Sequence, residues 1–111
     1  GILIPAKVTS ENSLENKDLG TIKGNFVKHY PNGSEVKLLL QPEDLEHDDK
    51  SNLKLEVVDR KFRGTNFIYT LKTNSNLFVP VFVHSHHIHQ HEIKEQFGIK
   101  RPINIDHIVC F

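Results

Sequence analysis

The sequence predicts an all-β fold, a small OB-like antiparallel barrel carrying at most one short helix, and three observations predict it. Apolar and polar residues alternate over several short runs, the mark of strands buried on one side. Turn-forming residues separate these runs roughly every 8–12 residues, the spacing of small all-β architectures. Helical periodicity is confined to a single stretch.

Taken in order, the chain opens on the apolar run Gly1-Ile2-Leu3-Ile4-Pro5, which reads as the middle of something longer and suggests an excised fragment. Residues 19–27 alternate weakly around Gly20 and Gly24. Pro31-Asn32-Gly33-Ser34 joins a fixed φ to residues tolerant of positive φ and predicts a hairpin connection. Val36 to Leu40 is a short strand. The acidic segment 43–50 lacks periodicity and suits a solvated loop, or one helical turn after Pro42.

Stronger strands follow. Leu53, Leu55 and Val57 share one face, and Phe67, Tyr69 and Leu71 alternate as core residues do. Gly64 lies between the predicted strands 53–62 and 65–72, where a barrel corner or bulge needs a residue without Cβ. Asn74-Ser75-Asn76 predicts a second hairpin, leading to Leu77, Val79, Val81 and Val83. Ile88, Glu92, Ile93 and Phe97 have helical spacing, so residues 86–97 are the predicted helix, ended by Gly98. Ile103, Ile105, His107, Val109 and Phe111 predict a final strand paired into a sheet. Cys110 falls on the opposite face from Val109 and Phe111 and reads as a buried, inert thiol.

With 111 residues, the expected organisation is one domain, 1–111. Fourteen basic residues balance fourteen acidic ones, so no overall field gathers nucleic acid or anionic lipid. The longest apolar stretch, residues 77–83, is interrupted by Pro80 and falls far short of the roughly 20 residues of a bilayer crossing. No direct membrane insertion is expected. A single cysteine cannot form an intrachain disulfide, which favours a reducing compartment.

Motifs for catalysis are missing. Gly20-Thr21-Ile22-Lys23-Gly24 lacks the spacing and hydroxyl of a phosphate loop, and Glu95 stands where His91-Glu92 would need a second histidine to make a zinc-protease helix. No catalytic residue is assigned, and the fragment is expected not to be an enzyme. Five imidazoles crowd residues 84–91. His84, His86, His87 and His89 form a candidate zinc or nickel set, against the plainer reading of a polar loop. Arg60-Lys61-Phe62-Arg63 with Phe67 and Tyr69 mixes cations and rings as oligonucleotide-binding barrels do. Asp59, the acidic loop and the zero net charge count against that use, so nucleic acid is not the expected partner.

The same segments in the same order resemble the C-terminal regulatory domain, TOBE-type with an OB fold, of ATP-binding subunits of bacterial ABC importers. The resemblance rests on Leu40-Gln41-Pro42-Glu43-Asp44, on Phe62-Arg63-Gly64 with Tyr69-Thr70-Leu71, and on Gly98-Ile99 followed by Asp106-His107-Ile108-Val109-Cys110-Phe111. Ser85-His86-His87-Ile88-His89 is similar to a loop of the ferric-iron branch. Gln41 departs from the arginine usual in the family and removes a cation able to hold an ion pair.

The resemblance implies a regulatory and dimerisation domain, part of an ATPase subunit importing ferric iron. ATP and Mg would bind upstream of Gly1, with no cofactor in this fragment. The subunit would be a homodimer, contacting membrane permease subunits through the missing ATPase domain, cytoplasmic and peripheral on the inner face of the cell membrane. The family-matched positions are Gln41, Glu43, Asp44, Arg63, Gly64 and His107. The alternatives are a stand-alone OB-type module binding oligonucleotide or a small anion, and a metal-binding domain built on the histidine loop.

Overall fold

The N-terminal apolar run is the start of a long strand. β1 (Ile2–Ser10) turns Ile4, Ala6 and Val8 inward, and alternate residues outward, as the two-residue period requires. A tight turn at Glu11 and Asn12 leads into β2 (Ser13–Asn16), which the sequence reading missed because four polar-rich residues show too little alternation. β3 (Gly20–Phe26) and β4 (Glu35–Leu40) follow. A three-residue 3₁₀ turn, Pro42–Asp44, is the only helical element among the described residues. A second group comprises β5 (Lys54–Arg63), β6 (Asn66–Lys72), β7 (Phe78–His84) and β8 (Gln96–Gly98), before β9 (Ile103–Ile108). This computed structural model describes residues 1–84 and 95–111.

The all-β expectation holds. The first sheet has the order β4-β1-β2-β3-β9 and the second β7-β6-β5-β8. The first sheet also returns on itself. Past the end of β9 the backbone crosses to the free edge of β4, where Lys37 N–H donates to Phe111 O (3.0 Å), Phe111 N–H to Lys37 O (2.9 Å) and Leu39 N–H to Val109 O (2.9 Å). The resulting ring, β1-β2-β3-β9-β4 and back to β1, is a five-stranded OB-like barrel. The four-stranded sheet is inserted between its last two strands.

Three local expectations are corrected. The barrel is not wholly antiparallel: β3 and β9 run parallel, with Ile22 beside Ile103. The final strand is two pieces, since β9 ends at Ile108 and residues 109–111 pair with a different neighbour. Pro31-Asn32-Gly33-Ser34 makes its turn, with Ser34 N–H donating to Pro31 O (3.1 Å), but it is no hairpin, because β3 and β4 are not neighbours. Instead the turn delivers β4 to β1: Val8 N–H donates to Ser34 O (2.9 Å).

The predicted helix 86–97 is corrected at its end, its remainder lying outside the described residues. Gln96 to Gly98 are a strand, paired antiparallel with Lys54 to Glu56. Gly98 terminates nothing; it lies where a Cβ would overlap the carbonyl of Asp48. The second hairpin forms as expected, with Asn76 N–H donating to Thr73 O (3.0 Å) between β6 and β7.

One apolar cluster spans both sheets. From the barrel come Ile4, Leu14, Ile22, Leu38 and Ile108, and from the second sheet Val57, Leu71, Val79 and Phe97. The sheets are also tied at their turns, where Ser75 Oγ donates to Asp18 Oδ1 (3.0 Å). Among the described residues no helix is long and apolar enough to cross a membrane.

Candidate functional site

The residues singled out by the sequence resemblance divide between two places. Gln41, Glu43 and Asp44 leave β4 at the junction of barrel and second sheet, where the 3₁₀ turn packs against β7. Proline at the first position of the turn sets φ and removes a donor that would have no partner. Asp44 then reaches back, and the backbone N–H of Gln41 donates to its Oδ2 at 2.7 Å. That bond belongs to a capping box between Gln41 and Asp44, and it fixes the exit angle of the chain from the barrel.

Asp44 is half-buried, and desolvation pushes its carboxyl above the ordinary carboxylate value; the Gln41 N–H pulls it back, and the charges of Glu43 and Asp106 push it up again. A carboxyl raised by folding binds its proton more tightly in the folded state. The fold therefore gains stability as pH falls through the interval just above the ordinary carboxylate range, and lacks that gain at neutral pH. Asp44→Asn keeps an acceptor for Gln41 and removes the charge, so it is expected to be at least as stable as the parent at pH 7, with the difference closing by pH 4. Asp44→Ala loses the cap and is expected to cost about 0.5–2 kcal/mol. Thermal melts of both variants at the two pH values check this.

Beside the turn, Asp44, Glu46, Lys100, Pro102, Ile103 and Asn104 line a small cavity of about 60 Å³, room for a few waters. Lys100 Nζ lies 3.4 Å from Glu46 Oε2 there, an exposed pair of little energetic consequence. His107 is exposed on β9 beside Asn25, next to the Asp106 that acts on Asp44.

Arg63 and Gly64 occupy the opposite end of the second sheet, at the tip of the β5–β6 hairpin. Gly64 has φ +65 and nothing within 4 Å of the place a Cβ would take. The expected barrel corner is thus a hairpin turn, and glycine is needed there for its backbone angle, not for space. Below the tip the rings form a ladder. Phe62 lies 5.1 Å from Phe67, Phe67 lies 6.1 Å from Tyr69, and the Arg60 guanidinium sits 5.7 Å over the Phe67 ring. Tyr69 is buried, whereas Phe62 is 60% exposed. Of the rings expected to be core, Tyr69 is core and Phe67 is at its edge.

The ladder continues into residues that no motif marked. Tyr69 packs 5.2 Å from Phe97, and Phe97 lies 4.6 Å from the ring of His47. His47 Nε2 is 2.7 Å from Asp49 Oδ1, so the acidic segment is anchored to the core by an aromatic and polar pair. The sequence carried no periodic signal for this, because His47 and Asp49 belong to a loop.

The proposed metal set stands apart. His86, His87 and His89 lie outside the described residues, and of His84 the structure gives the strand position alone, opposite Asn66 at the end of β7. Among the described residues no group of three or more His, Cys, Asp or Glu side chains is placed to hold a metal ion. Cys110 is half-buried and antiparallel to Leu38, and burial pushes its thiol up, away from the thiolate a nucleophile requires. No protein-family model matches the chain, and no curated protein matches it.

Proposed function

We propose that this chain is a regulatory and dimerisation domain of the ATP-binding subunit of an ABC importer, with ferric iron as the transported ion. The observation that supports the reading is an OB-like ring that carries two of the segments in which the sequence resembles that family, with the third on the sheet inserted into it. Leu40 to Asp44 form the exit from β4, Phe62 to Gly64 form the hairpin tip of an inserted sheet, and Asp106 to Phe111 form the seam that closes the barrel. A closed ring with an inserted sheet is a rigid body able to carry contacts without chemistry of its own. In this reading ATP and Mg bind in residues upstream of Gly1, permease contacts are made there, and the subunit sits at the inner face of the cell membrane.

The test has two arms. The sequence preceding Gly1 in the full-length product is expected to contain a phosphate loop and an ABC signature; a start codon immediately before Gly1 overturns the reading. Light scattering of the isolated chain at high micromolar concentration is expected to show a dimer, and a strict monomer overturns the dimerisation role.

One observation favours a second reading, an oligonucleotide-binding module: the exposed Phe62 ring on the same face of β5 as Arg60, with Lys61 and Arg63 flanking it in sequence. Stacking on such a ring contributes about 1–3 kcal/mol per base. Of the three rings of this ladder, however, Phe62 alone is largely exposed: Tyr69 is buried and Phe67 carries Arg60. Salt-sensitive affinity for single strands, lost in Phe62→Ala, would select this reading.

A further inference from the structure

The parallel pairing of β3 with β9 produces a feature that the functional reading leaves unused. Ile22 stands beside Ile103, so the residues two steps earlier, Gly20 and Arg101, meet at the same end of the barrel. Gly20 has φ +79, and a Cβ on it would come 3.1 Å from Arg101 Nη2. The guanidinium therefore lies close against the backbone at Gly20, whose positive φ favours glycine. Ile22 is fully buried, which turns Thr21 and Lys23 to the outer face of β3. Thr21, Lys23, Arg101 and Pro102 line an open cavity of about 410 Å³.

Two cations facing one cavity repel each other unless an anion lies between them. Among the described residues neither Lys23 nor Arg101 has a carboxylate within 4.0 Å, although Glu15 stands directly across from Thr21 on β2. Lys100, next in sequence, is turned into the smaller neighbouring cavity and faces Glu46.

We propose that this cavity binds a phosphate group, as free phosphate or as the head of a small phosphomonoester. Arg101 supplies the planar fork that meets two phosphate oxygens together, Lys23 a second positive charge, and Thr21 a hydroxyl donor. A dianion with three equivalent oxygens matches two cations and one donor better than a single carboxylate does. The cavity is wider than the ion alone, and its open side leaves space for the body of an ester.

The chain, labelled with ¹⁵N, is titrated at constant ionic strength with inorganic phosphate and, separately, with glycerol 3-phosphate, reading the amides of Gly20, Thr21 and Lys23. Saturable shifts are expected at these amides, with a dissociation constant of about 1 mM, as a few exposed charge-assisted bonds supply. Tighter binding of the ester identifies a phosphomonoester as the source, and equal binding identifies the free ion. Arg101→Gln and Lys23→Gln are each expected to weaken binding about tenfold. Both side chains are exposed, so the variants should fold, and Lys50→Gln, which lines no part of the cavity, should bind as the parent does. Shifts that do not saturate with either probe, or that survive both substitutions, overturn the proposal.

Discussion

Phe97→Ala is expected to destabilise the chain by about 3–5 kcal/mol, the cost of emptying a fully buried aromatic site. At about 4 °C per kcal/mol for a domain of this size, the melting temperature should fall by roughly 12–20 °C. The ring is 0% exposed and lies between Tyr69 at 5.2 Å and His47 at 4.6 Å. Its removal strips packing from both sheet and loop, because Leu55 pairs with Phe97 on one side while His47 carries the acidic segment on the other. The surrounding strands are fixed by their ladders, so the cavity cannot collapse. Phe78→Ala, at a ring 54% exposed on β7, is the control and should cost under about 1 kcal/mol. Urea denaturation of the two variants checks the contrast. A similar small loss at both positions would mean that Phe97 does not link loop and sheet as described.

Phe97 also shows where the sequence was readable and where it was not. Strands buried on one face, such as β6 and β7, announce themselves: Tyr69, Leu71, Val79, Val81 and Val83 are buried, and the residues between them, Thr70, Pro80 and Phe82, are less so. Their hairpin was legible as well, since Asn-Ser-Asn tolerates the positive φ found at Asn76. On sequence alone Phe97 reads as helical, because Ile88, Ile93 and Phe97 happen to fall near a 3.6-residue period. A three-residue strand such as β8 is too short to display a period of its own and exists only because β5 offers it an edge. β2 escaped notice for the same reason.

The candidate site was legible to a different degree. The turn at Gln41 to Asp44 follows from proline and acidic residues in order, and its backbone bond to Asp44 could be anticipated. The parallel register that sets Arg101 against Gly20 could not. It depends on which strands become neighbours after about 80 residues of intervening chain, and nothing local encodes that. Likewise the alternation of Ile103, Ile105, His107, Val109 and Phe111 predicted a paired strand but not its change of partner after Ile108. That change is what converts an open sheet into a ring, and it places the whole second sheet as an excursion from the barrel.

The seam of the ring is the second place where one atom should matter most. Gly24→Ala is expected to cost about 3 kcal/mol, at the upper end of the range for over-packing, because the added Cβ would overlap the carbonyl oxygen of Ile105. The obstacle is backbone, which cannot rotate aside as a side chain tip can. β3 and β9 must part, and the register already shifts there, between Gly24 and Asn25. Loosening β9 also loosens the segment that follows it, so the amides of Lys37, Leu39 and Phe111, which bond across the closure, should exchange with deuterium faster than in the parent. Gly64→Ala gives the comparison. Its φ of +65 imposes a backbone strain of about 1–2 kcal/mol, but no atom lies within 4 Å of the new methyl group, and the hairpin tip is remote from the seam. Gly64→Ala should lower the melting temperature modestly and leave exchange at Lys37, Leu39 and Phe111 unchanged. Equal exchange at those amides in the two variants would show that β9 does not hold the barrel shut, and the ring would have to be redrawn as an open sheet.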